Sequence, residues 1–167
     1  ALTTGRQEPD EIHWLSGLFE GKTTGAPIAF IAYNQDARSD DYAHLEKAFR
    51  PSHADYTTWA KYGIRDHRGG GRSSARETWA RVAAGAIARQ LLLPLGIEAS
   101  AYVERVHDIG METAPAFYAR ESVDAHPVRC PDLACAEAMS ARILQAKKAG
   151  DTVGGTIVMV ARGLPAG

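Results

Sequence analysis

Apolar positions along this chain follow two rhythms. IHWLSGLFEG (12–21) and APIAFIAYN (26–34) are short apolar runs with KTTG (22–25) between them, which predicts two strands joined by a glycine-containing turn. DYAHLEKAF (41–49) predicts a short helix closed before Pro51, and residues 50–72 read as a loop-rich stretch. In SARETWARVAAGAIARQLL (74–92) the rhythm becomes helical: Trp79, Val82, Ala83, Ala86, Ile87 and Leu91 recur as one stripe expected to face the core. Ser74 and Glu77 form a capping box, in which each side chain satisfies a backbone donor at the helix start, and Gly96 ends the element. Gly85 on that helix predicts a segment crossing closely over it, since glycine within a helix costs about 1 kcal/mol against alanine.

Further on, IEASAYVERV (97–106) predicts a strand, PDLACAEAMSARILQAKKAG (131–150) a helix with basic residues and Gly150 at its end, and GGTIVMVARG (154–163) another strand. The order, roughly β-β-α-β-α-β, predicts an α+β fold in a single domain over 1–167. The turn formers that close the chain, ARGLPAG, lead us to expect an excerpt from a longer chain.

Composition sets bounds. With 45% hydrophobic residues the chain can fill a core, while apolar runs such as 91–95 fall far short of the roughly 20 residues a bilayer requires. No membrane segment or secretory signal is read, and cytoplasm is the expected location. Cys130 and Cys135 lack histidines at zinc spacing and are expected as reduced structural thiols; no metal site is expected.

Charge changes the picture most. Between Arg50 and Gln90 stand eight basic and three acidic residues, a net +5 inside a chain of net −1. Such asymmetry points to a local anionic partner. At its centre, RDHRGGGRSSARET (65–78) sets three consecutive glycines among arginines just before a helix start. Glycines let the backbone approach a ligand, free N–H groups at a helix start favour anions, and guanidinium groups suit bidentate capture of phosphate. The loop is therefore read as a phosphate holder, with a solvated turn as the plain alternative, because it is neither a Walker loop nor a dinucleotide turn. His53, between Arg50 and Asp55, is either a proton donor tuned by these neighbours or a structural loop histidine. His67 reads as loop surface, and Tyr56, Trp59 and Tyr62 as a packed trio or a stacking platform.

RPSHADYTTWAKYGIRDHRGGGRSSARETWARVAAGAIA (50–88) resembles the signature region of the chorismate synthase family. Flanking stretches, among them LTTGRQEPDEIHWLSGLFEGKTTGAPIAF, NQDARSDDY, VRCPD, KKAGDTVGG and VARGLPAG, extend the resemblance over nearly the whole chain. The resemblance implies a β-α-β sandwich, assembled as a homotetramer. It also implies 1,4-anti elimination of phosphate from 5-enolpyruvylshikimate 3-phosphate to give chorismate, with reduced FMN and no net redox change. Residue by residue it implies His53 as the histidine acting near flavin N1. Arg72, Ser73 and Ser74 match the FMN-binding segment, Arg50 and Arg76 match substrate-facing arginines, and Arg6 is a further substrate-side candidate. The reductant is left open between the protein's own use of NADPH and a separate reductase. Ser52 stands where many members have glycine, and the family's GESHG segment and C-terminal half have no counterpart here. The competing expectation is a non-catalytic module that binds phosphate or nucleic acid through the RGGGR loop, against which the net charge weighs.

Overall fold

A computed structural model describes residues 8–35, 39–51, 53–68 and 75–166. The described residues fall into two compact units, 8–84 and 85–166, with one helix running through the boundary.

In residues 8–84 the strands are short. β1 (His13–Ser16) pairs antiparallel with β4 (Ala29–Ile31), in the register Trp14 to Phe30 with a bulge before Ser16. Between them β2 (Leu18–Phe19) and β3 (Lys22–Thr23) form a second, smaller pair. The turn therefore falls at Glu20 and Gly21, both with positive φ (48° and 75°), as a two-residue hairpin turn requires, and KTTG contributes a strand. DYAHLEKAF does not become an α-helix: its first half closes a 3₁₀ helix over Ser39–Leu45.

The expected loop after Arg50 contains a helix, α1 (Asp55–Tyr62). Gly63 closes it with φ 72°, its N–H donating to the Trp59 carbonyl at 2.7 Å. Its sequence, DYTTWAKY, carries too few apolar residues for a helical period to show. What fixes α1 is contact with the rest of its unit: Tyr56 and Trp59 pack on Phe49 with ring centroids 5.5 and 5.6 Å away. Packing is therefore the observed role of those two rings.

A 3₁₀ turn, Ala75–Glu77, leads into α2 (Thr78–Leu92), which ends through a second 3₁₀ turn at Gly96 as expected. Ser74 of the predicted capping box lies outside the described residues. The apolar stripe of α2 is only partly covered. Trp79 meets Phe30 edge-on at 5.6 Å and Ala83 is buried, but Val82 is 72% exposed and Leu91 is exposed too. No crossing segment explains Gly85, whose added Cβ would meet nothing within 4 Å among the described residues.

In residues 85–166 the predicted elements are all present. β5 (Glu98–Val106) and β7 (Gly155–Arg162) pair antiparallel along nearly their whole length, and β6 (Ile109–Gly110) adds an edge. A short helix α3 (Arg120–Asp124), unmarked by any sequence period, precedes α4 (Leu133–Lys148). Asp132 caps α4 by accepting from the Cys135 N–H at 2.9 Å. Val106, Val128, Cys130, Ala136 and Met139 form the core between α4 and one sheet face. Cys130 and Cys135 are free, and burial raises the Cys135 thiol pKa. The other sheet face is bare: Ile157 and Met159 are 72% and 70% exposed. Among the described residues no helix is long and apolar enough to cross a membrane.

Candidate anion site around Arg50, His53 and Asp55

Two arginines, Arg50 and Arg65, gather around one buried carboxylate, that of Asp55. Asp55 opens α1 and is only 4% exposed, the one buried charged residue among those described. It accepts from Arg50 three times: from Nε at 3.0 Å, from Nη2 at 2.9 Å and from the backbone N–H at 3.1 Å. A side-on carboxylate–guanidinium pair of this kind fixes both direction and distance. Arg65 stands behind it, its Nη1 3.9 Å from Asp55 Oδ2.

The Arg50 hydrogen bonds hold the Asp55 carboxyl down at about 2 against the opposing effect of burial. They raise the Arg50 pKa in turn. Arg65 Nη2 donates to the carbonyls of Leu45, Glu46 and Ala48, so the same guanidinium ties the end of the 3₁₀ segment to the site. Its Nη1 is buried and makes no hydrogen bond among the described residues.

His53 is exposed, and its Nδ1 lies 2.9 Å from the Pro51 carbonyl oxygen. A carbonyl oxygen can only accept, so Nδ1 carries the proton and Nε2 is left for exchange. The expectation that Asp55 tunes His53 is thus corrected: Asp55 belongs to Arg50, and the histidine is oriented by main chain. His67 is half-buried rather than simple loop surface.

Arg76, in the 3₁₀ turn ahead of α2, pairs with Asp10, whose carbonyl also lies 3.4 Å from Trp79 Nε1. Arg68 donates to Asp66 through Nε and its backbone N–H, which lowers the Asp66 pKa just before the triglycine stretch. Arg6, Arg72, Ser73 and Ser74 lie outside the described residues. The structure thus brings Arg50 together with Asp55 and Arg65, and sets Arg76 on a separate partner. Asp55 and Arg65 were not singled out as site residues from sequence. The signal available was an aspartate in helix-start position within an otherwise cationic stretch.

A cavity of about 400 Å³ lined by Lys47, Phe49, Trp59, Arg65 and His67 meets this cluster at Arg65, and another of about 560 Å³ lies between α4 and the β5–β7 sheet. No group of three or more His, Cys, Asp or Glu side chains suited to a metal ion is found among the described residues.

Fold and site together define an α+β protein in which Arg50, Asp55 and Arg65 cluster on the same segment as an exposed His53. Comparison with known proteins gives that class its family. The chorismate synthase family model matches residues 1–167, and the chain belongs to that family. Chorismate synthases of Opitutus terrae, Bacteroides fragilis and Flavobacterium psychrophilum are 55%, 51% and 52% identical to it. These matches cover 99%, 99% and 100% of this chain and 46% of each relative. A crystal structure of a chorismate synthase superposes with a TM-score of 0.68 at 28% identity, over 90% of this chain and 44% of that one. The chain spans a little under half the length of the curated relatives it matches.

Proposed function

We propose that these residues form the central part of a longer chain that eliminates phosphate from 5-enolpyruvylshikimate 3-phosphate to give chorismate. The family match along all 167 residues, with RPSHADY and RGGGRSSARET in place, is the observation that carries this reading. In the reaction one C–O bond to phosphate and one C–H bond break, a second ring double bond forms, and no net oxidation occurs.

The donor chemistry fits a phosphorylated cofactor. Arg72, Ser73 and Ser74 offer a guanidinium and two hydroxyls directly ahead of the Ala75–Glu77 turn and α2, where donors suit a phosphate group. These three would hold FMN, which in its reduced form supplies transient electron density that eases departure of the leaving group. Arg50 and Arg76 hold the anionic substrate, and Arg6 is a further substrate-binding candidate. Their guanidinium charges offset the substrate's carboxylates and the phosphate as it leaves. His53 moves a proton through Nε2, its other nitrogen being committed to the Pro51 carbonyl.

The full-length protein assembles as a homotetramer in the cytoplasm. The test is anaerobic turnover by the full-length protein with photoreduced FMN and the phosphorylated ester, reading phosphate release and chorismate absorbance. Chorismate formed only with the reduced cofactor is the expected result. Failure of the full-length protein to bind FMN or to release phosphate would remove the reading.

A further inference from the structure

The geometry points to Asp55 as the residue that positions Arg50 toward the substrate, a role that rests on the function proposed above. An arginine that must meet an anion through one edge of its guanidinium needs its other edge held. Asp55 grips the Nε–Nη2 edge at 3.0 and 2.9 Å and anchors the Arg50 backbone at 3.1 Å, so both ends of this residue are fixed by one carboxylate. The grip does not use Nη1, and the Arg50 side chain, with its Cζ 5.7 Å from the Tyr42 ring centroid, keeps 20% of its surface exposed.

The carboxylate is itself held in place. It opens α1, where the helix start favours negative charge, and it is buried with the Arg65 guanidinium 3.9 Å behind it. Arg65 is anchored through the carbonyls of Glu46 and Ala48 at 3.1 and 2.8 Å. The resulting order is Arg65, Asp55, Arg50, with side-chain exposure rising from 9% at Arg65 and 4% at Asp55 to 20% at Arg50. Because Asp55 is buried and saturated by Arg50, it acts through that arginine and does not itself meet the reacting atoms.

The test is a double-mutant cycle in the full-length enzyme, combining Asp55→Asn with Arg50→Ala. Asp55→Asn keeps the shape and removes the charge. It is expected to lower kcat/KM for 5-enolpyruvylshikimate 3-phosphate by roughly 10- to 100-fold, the range associated with misplaced positioning groups, mainly through KM. FMN affinity, read by fluorescence quenching, is expected to stay within about twofold. In the Arg50→Ala background Asp55→Asn should change kcat/KM by less than about threefold.

Independent, multiplicative losses would overturn the proposal, as would a parallel loss of FMN affinity, which is the mark of general structural damage. Should Asp55→Asn fail to fold, Asp55→Glu carries the test. It keeps the charge but shifts the carboxylate by one methylene, and a substrate KM unchanged in that variant would also overturn the role. If Arg50→Ala kept full activity, both this role and the substrate assignment of Arg50 would fall. A defect in Arg50→Ala beside a fully active Asp55→Asn would remove only the role of Asp55.

Discussion

The two units of this chain are held together by different physics. Residues 85–166 are built by burial: long paired strands, a capped 16-residue helix and a core in which Met139 and Cys130 are wholly enclosed. Residues 8–84 have strand pairs of two to four residues and no large apolar side chain buried among those described. Their order comes from a carboxylate between two arginines and from rings meeting edge to edge. Directional contacts of this kind cost desolvation and yield little net stability, but they fix where charged groups stand. On the function proposed above, in which this region presents several cations to an anion, that kind of order serves better than a larger core.

The sharpest way to break this contrast is to remove a core side chain. Met139→Ala should cost the full-length protein 2–5 kcal/mol in denaturant unfolding, the usual range for a buried methionine; a loss under about 1 kcal/mol would show that burial does not sustain this unit. His53→Ala, on the charged side, should leave unfolding nearly unchanged while slowing turnover about 100-fold or more. Stopped-flow chorismate absorbance would check it, and full retained rate would remove His53 from the chemistry.

The pH dependence separates the units further. Asp55 has a folded pKa of about 2 against an ordinary value of 3.8. Its ion pair therefore contributes fully above about pH 4 and is lost as pH falls toward 2, because the unfolded chain takes up the proton first. The contribution is on the order of 2 kcal/mol, and Asp55→Asn should flatten that acid limb of the unfolding curve. The smallest effect is expected where a charge pair lies in the open. Glu98→Gln breaks the half-exposed pair with Arg162, at 3.0 Å, and should shift stability by less than about 1 kcal/mol, with still less in high salt.

The same division decides what could be read from sequence. α4 was legible because its cap at Asp132, its apolar period and its closing Lys147 and Lys148 agree with one another. β5 and β7 were legible from β-branched and aromatic runs. α1 was not, because the forces that fix it come from Phe49 and Arg50, outside its own sequence. The hairpin was placed correctly as a pairing, but its turn was not, since Glu20 is a poor turn signal beside the glycines around it. The stripe on α2 records an apolar face that the described residues cover only at Trp79 and Ala83. In the candidate site the arginines could be read from charge density, whereas a role for His53 came only from the family resemblance. The pairing could not, because sequence adjacency suggested Asp55 for His53 while the fold gives it to Arg50.

The hydrogen bond that orients the histidine ends on main-chain oxygen, so no exchange of amino acid at position 51 can delete its acceptor. The choice of tautomer is thereby insulated from drift in neighbouring side chains, which leaves unaltered which nitrogen the imidazole offers. Only a change in the path of the peptide itself would reassign that atom.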